Sequence, residues 1–294
     1  MWELFVSGML RGGLYALMAV GLALVFGVMN IAQFAHGEFY MVGAYAAFFA
    51  VGILGLNPIL AILFGFLATF LVGVLIERVA FLPLRRRSRE DWVMNAFLLT
   101  VGVSFAVQNG ALAIFGPSYR GIVEYWKGIA HITADLYVSY DRIGSFLIAV
   151  GAIVGLWLFL ARSRVGRAIR AVSQDERGAT LVGINLSRIH ALTFGLSTGL
   201  AGLAGAGLLS LTQAFPSVGY RPLVMSWFVV MLVGLGNIPG SVVGGFIVGM
   251  LEAGSYFFLG AGWQDVLTAG VLIVLLVVKP SGLFGAEVKG VWER

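Results

Sequence analysis

ARSRVGRAIRAVSQDERGATLVGINLSR, residues 161–188, carries six arginines and interrupts a chain that is otherwise mostly apolar. Long apolar runs flank it, residues 144–161 before and 189–211 after. Unpaired charges and free backbone groups are costly in hydrocarbon, so this segment belongs in water on one face of a membrane. Its arginine excess selects the face, because loops left in the cytoplasm collect Lys and Arg. Inside it, Ser173 stands three residues before Glu176, the spacing of a helix N-cap with its capping box. Ala171, Ala179, Leu181 and Val182 supply apolar side chains for a short helix ended by Gly183. A folded, partly apolar element on that face suits contact with a protein. From spacing alone, a plain basic connector between two spans is the alternative.

Composition agrees with a membrane location. Of 294 residues, 60% are hydrophobic and 11% charged, and mean hydropathy is +0.96. Soluble domains carry roughly a quarter charged residues. The reading is therefore a single all-α transmembrane domain over residues 1–294, with no separate soluble part. The absence of cysteine excludes disulfides and thiol chemistry. A net charge of +5 comes from basic residues clustered beside apolar spans, a topology pattern rather than a nucleic-acid site. No basic leader precedes the first span, so no cleavable signal is expected.

Apolar spans are expected at 4–28, 39–54, 59–76, 93–115, 144–161, 189–211, 223–235, 241–259 and 266–278. That amounts to eight or nine crossings, with one or two broken or re-entrant segments. Span 223–235 has only 13 residues, about 20 Å as a helix against roughly 30 Å of hydrocarbon. No segment alternates over ten residues as a barrel strand does. Residues 77–91 form a second basic loop, with Trp92 as an interfacial aromatic at its edge. Residues 117–142 hold three basic and three acidic side chains and are expected outside. By parity the C-terminus is inside, and the N-terminus outside if every segment crosses. Arg11, near the start of the first span, is expected to snorkel to the headgroups. Small pairs such as Gly8/Gly12, Gly151/Gly155 and Gly245/Gly249 predict close helix packing.

Two interruptions carry candidate chemistry: Asn30-Ile-Ala-Gln-Phe-Ala-His-Gly-Glu38 and Gly234-Leu-Gly-Asn-Ile-Pro-Gly240. Broken helices free N–H and C=O groups that are tolerated only against protein or water, so they point to a substrate path. Asn30, Gln33, His36, Glu38 and Asn237 are the candidate path residues. Glu38 sits where a helix N-terminus favours its charge. His36 has no second histidine at ligand spacing, and no metal site is expected. Glu252 is an acid inside an apolar run, a candidate for function or for bonding to a neighbouring helix. No arginine lies mid-span to hold a substrate carboxylate, so a weak, mostly apolar passage is expected. Neither a P-loop nor a catalytic triad is present, so the chain is expected to be no enzyme and to bind no cofactor.

Asn30-Ile-Ala-Gln-Phe-Ala-His-Gly-Glu-Phe-Tyr-Met-Val-Gly-Ala-Tyr45 resembles the signature of the LivH-type branched-chain amino acid ABC transporter permease family. So do Glu77-Arg-Val-Ala-Phe-Leu-Pro-Leu-Arg85, residues 167–185, residues 234–245 and Lys279-Pro-Ser-Gly-Leu-Phe-Gly285, in the family's order along nearly the whole chain. The resemblance implies a multi-pass importer subunit of the bacterial inner membrane. Its implied partners are a second homologous permease, two cytoplasmic ATPases holding ATP and Mg, and an extracytoplasmic substrate-binding protein. Residues 173–183 are then the coupling helix, with Ser173, Asp175, Glu176, Leu181, Val182 and Gly183 at the ATPase contact. Members of the family also carry urea, amides or other amino acids, so the substrate stays open. A stand-alone secondary transporter or channel needs more ion-coupling residues than Glu38, His36 and Glu252 provide.

Overall fold

Twenty-eight residues without a proline form α1 (Trp2–Met29), and its stretch from Ala16 to Val25 is buried on every side. A helix apolar all round belongs at the centre of a bundle. The computed structural model describes residues 2–87, 92–133 and 136–285. Around α1 the chain adds α2 (His36–Gly52), α3 (Pro58–Ile76), α4 (Leu82–Arg87), α5 (Trp92–Phe115), β1 (Ile129–Thr133) and β2 (Leu136–Ser139). There follow α6 (Tyr140–Arg162), α7 (Arg164–Gln174), α8 (Glu176–Leu181), α9 (Leu186–Gly207), α10 (Tyr220–Val233), α11 (Ile238–Leu259) and α12 (Gln264–Val278). Among the described residues, seven helical stretches are long and apolar enough to cross a membrane. They lie on α1, α3 with its continuation, α5, α6, α9, α11 and α12. Among the described residues α10, of 14 residues, is a shorter apolar helix, and α2, of 17, opens on His36 and Glu38. The protein is a polytopic all-α membrane protein.

Helix α1 packs chiefly on α11, and α9 on α3 and α2. The expected small pairs account for most of this. A Cβ on Gly245 would stand 2.4 Å from the Ala16 backbone nitrogen, and one on Gly249 would stand 2.5 Å from Gly12 Cα. Gly195 and Gly199 meet Phe70, Val74 and Phe66 of α3 in the same way. The pair Gly151/Gly155 differs, because a side chain there would meet nothing within 4 Å. It lies on the open face of α6. Gly245→Leu is expected to force α1 and α11 apart, at about 1–3 kcal/mol or more. The check is a lower melting temperature of the purified protein beside an unchanged one for Gly151→Leu.

One expectation about connectors is corrected, and a second connector holds structure that the sequence did not reveal. Residues 77–87 are not a loop: Glu77–Phe81 form a π-helical turn that runs directly into α4. Pairing makes this possible, since fully buried Glu77 holds Arg85 at 3.4 Å and the Arg85 guanidinium lies 4.7 Å from the Trp92 ring centroid. Trp92 therefore packs on protein. The rest of that loop, residues 88–91, and residues 286–294 of the tail lie outside the described residues. The segment between α5 and α6 contains an antiparallel hairpin, pairing Ile129 with Ser139 and Ala130 with Val138. Strands this short carry too few alternations to be distinguished from loop in sequence.

The hairpin segment is anchored to α6 and α9. The Asp141 carboxylate accepts from the Tyr125 and Trp126 backbone N–H groups at 3.1 and 2.7 Å, and the Tyr125 hydroxyl donates to the Ala206 carbonyl at 2.9 Å. Burial, reinforced by the Asp141 carboxylate, raises the Tyr125 phenol above its ordinary value and keeps it a donor. Arg120 and Ala214 exchange two backbone hydrogen bonds, joining this segment to the α9–α10 connection. The opposite end of the bundle gathers the α1–α2 break, α4, α7, α8 and the α10–α11 break. This is the basic end.

Candidate functional site

The two helix breaks meet at the basic end. After α1 stops, Asn30 takes φ +53, a left-handed conformation uncommon outside glycine. The second break turns on Gly234 and Gly236, at φ +103 and +80. Gly27 lies against Gly236, where a Cβ on Gly27 would stand 3.0 Å from the Gly236 carbonyl oxygen. Asn30, Arg170, Ser173 and Gly236 line one crevice there, of about 300 Å³. Asn237 caps α11 by accepting from the Gly240 N–H at 2.8 Å, and its amide donates to the Phe284 carbonyl at 3.1 Å. Leu283 and Phe284 donate backbone bonds to Leu232 and Val233, so the late glycine motif and the C-terminal motif close one turn.

The other path candidates are buried within the bundle. Gln33 is fully buried, with both amide atoms unpartnered among the described residues. His36, also fully buried, donates from Nε2 to the Met18 carbonyl at 3.1 Å. Glu38 lies in the first turn of α2 and accepts from Ser104 Oγ at 2.9 Å. None of these five residues borders the cavity at the other end of the bundle.

That cavity, of about 440 Å³, opens at the end away from α7 and α8. Leu10, Leu14, Met18, Leu208 and Leu211 give it an apolar wall, and Tyr40 and Thr212 place two hydroxyls 3.0 Å apart on it. Arg11, Arg142 and Arg221 line it too. Local reading of the spans did not bring these three arginines together. Glu252 of α11, fully buried, accepts from the Tyr15 hydroxyl, from Arg221 Nη2 at 2.7 Å and from Arg11 Nη1 at 3.1 Å. At the rim Arg221 also reaches Gln264 at 2.8 Å and Asp265 at 3.2 Å. Arg11 pairs with this carboxylate instead of snorkelling, because a buried acid needs a counter-charge more than a headgroup does. The signal in sequence was Glu252 itself. Its partners lie 31 to 241 positions away, beyond any local pattern.

At the basic end, residues 162–188 fold as two helices. Ser163 caps α7, accepting from the Gly166 N–H at 2.7 Å. Gly166, Ile169 and Val172 face inward, and Arg170 is held by the Leu160 carbonyl. The expected Ser173 cap is corrected: its hydroxyl donates to the Arg170 carbonyl inside α7. Asp175 caps α8 instead, accepting from the Arg177 N–H at 2.9 Å. Asp175 holds extended backbone between the two helices, which an N-cap requires and a residue within α7 cannot supply. Helix α8 closes in a Schellman turn. Ile184 N–H bonds to Ala179 and Gly183 N–H to Thr180, with Gly183 at φ +84. Ala179 points inward, whereas Leu181 and Val182 are 89% and 78% exposed at the tip. Glu176 lies 3.8 Å from His190 Nε2 of α9, so the first turn of α8 rests on a central helix.

Comparison with known proteins agrees with this arrangement. The family described as "Branched-chain amino acid transport system / permease component" matches residues 4–276. The high-affinity branched-chain amino acid transport system permease protein BraD of Pseudomonas aeruginosa is 35% identical, over 95% of this chain and 94% of its own. The corresponding permease protein LivH of Escherichia coli is 32% identical over the same shares. The ribose import permease protein RbsC of Escherichia coli is 26% identical over 90% of this chain and 81% of its own. A match along nearly all of the bundle, over both helix breaks and the α7–α8 segment, places this chain in the family of branched-chain amino acid transport permease components.

Proposed function

We propose that the chain is the membrane-spanning subunit of an ATP-driven importer that carries branched-chain amino acids across a bacterial inner membrane. It works beside a second homologous permease, two ATP-binding subunits that hold ATP and Mg, and an extracytoplasmic binding protein. The observation that carries this reading is α8. A six-residue helix capped at both ends presents Leu181 and Val182 to water among arginines. Apolar side chains fixed in that way serve a protein groove, and Glu176 against His190 links them to α9. The chain brings no nucleotide-binding motif of its own. The basic end lies in the cytoplasm, together with the C-terminus. The breaks at residues 30–35 and 234–237, with Asn30, Gln33, His36, Glu38 and Asn237, belong to the route that ATP-driven motion opens.

The complete assembly in proteoliposomes is expected to take up leucine only with ATP and the binding protein. Uptake by this chain alone under an ion gradient overturns the reading. Orientation is checked separately, on a chain with no native cysteine. A cysteine at exposed Gln174 is expected to be shielded from an impermeant thiol reagent added to intact cells, and one at exposed Lys127 to be labelled. Labelling of both from outside removes the cytoplasmic assignment.

A further inference from the structure

The outer cavity is too specific in its lining for a neutral passage. Three arginines border it against one carboxylate, Glu252. That carboxylate is wholly buried and spent on Tyr15, Arg11 and Arg221, so it serves as a brace for the cations. The guanidiniums it holds remain 36% and 52% exposed, Arg11 and Arg221 respectively. Arg142, at the start of α6, adds a third charge and takes part in no ion pair among the described residues. Leu10, Leu14, Leu208 and Leu211 supply apolar surface in the same lining. The volume of about 440 Å³ lies within the usual range for a small-molecule site.

We propose that this cavity is a transient subsite for the carboxylate and aliphatic side chain of an amino acid entering from the outer end. Resting on the function proposed above, it assigns the recognition to residues and selects among substrates. The substrate carboxylate meets Arg142 and Arg221, whose planar forks match it. The branched side chain lies on the leucines of the lining. The Tyr40 and Thr212 hydroxyls, 3.0 Å apart, offer oxygen lone pairs to the ammonium group. Binding is weak, because the arginines stay in contact with water and the carboxylate arrives hydrated, which is what a site that must release its occupant inward requires. Urea and sugars, which have no carboxylate, leave the cations without a partner.

The test uses the assembled transporter, without binding protein, and a single cysteine in place of Ser7, which lines the cavity. Alkylation of this chain by a small thiol reagent is followed with leucine, with 4-methylpentanoate, or with the neutral 4-methylpentanamide. Leucine and the carboxylate are expected to protect the cysteine, and the amide is not. Arg142→Gln is expected to raise the protecting concentration about tenfold, and Arg142→Lys much less. Equal protection by acid and amide overturns carboxylate recognition. Absence of protection by leucine, in a transporter that still takes it up with binding protein and ATP, overturns the subsite and leaves the proposed function standing. Failure of the native assembly to take up leucine overturns the proposed function. The protection assay needs no uptake and reads the subsite independently.

Discussion

Leu181→Asp is expected to abolish ATP-driven uptake and to release the ATPase subunits on purification, while the chain still inserts and folds. Leu181 touches nothing that holds the bundle together, being 89% exposed. Its replacement leaves no cavity and no orphaned partner in this chain. What it loses is the apolar contact at the tip of α8, and it gains a charge that a groove must desolvate. A central apolar contact of an interface contributes on the order of 2 kcal/mol or more, so affinity falls by about thirtyfold at least. Three comparisons locate the effect. Asp175→Ala removes the cap and weakens α8 by about 1 kcal/mol, giving a partial loss. Ser173→Ala has little effect, because that hydroxyl bonds only within α7. Arg164→Ala also changes little, since neighbouring arginines maintain the same orientation. The measurement is ATPase co-purification and uptake for the four variants side by side. Full assembly and uptake with aspartate at 181 remove α8 from the contact.

The second large effect is expected at Glu252, and its direction is a loss of stability. Glu252→Leu leaves Arg11 and Arg221 without the carboxylate that holds both, and leaves the Tyr15 hydroxyl without its acceptor. Arg11 and Arg221 are 36% and 52% exposed, so water screens part of the charge left behind and the cost is about 1–3 kcal/mol, below that of a wholly buried pair. Replacing the whole cluster has a different consequence. Glu252→Leu combined with Arg11→Met and Arg221→Met removes the uncompensated charges as well, and is expected to recover most of the stability without recovering transport. Melting temperature of the assembled transporter checks the first quantity and leucine uptake the second. A triple variant no more stable than Glu252→Leu alone shows that the cluster holds the helices by shape, not by charge balance.

These two sites show what each level of description supplies. Around α8 nearly everything was local. The arginines, the Asp-Glu start, the exposed apolar pair and Gly183 lie within a few residues of one another, so their chemistry is legible in order along the chain. Even there the cap moved from Ser173 to Asp175, because two helices compete for the same residues and the extended backbone at 175 decides between them. The apolar spans were legible too, since hydrocarbon admits backbone only when its bonds close within each segment. So were the two helix breaks, as their polar residues and glycines interrupt those spans. Sequence by itself thus determined an all-α membrane bundle, its breaks, its basic end and its family. Tertiary structure alone decided that the breaks face each other across Gly27 and Gly236, and that Arg11, Tyr15, Arg221 and Glu252 form one cluster. It also turned a presumed loop into a helix through the Glu77–Arg85 pair. The reason is physical: in each case a charge or a small residue is satisfied by a partner far away in the chain, which no local periodicity encodes.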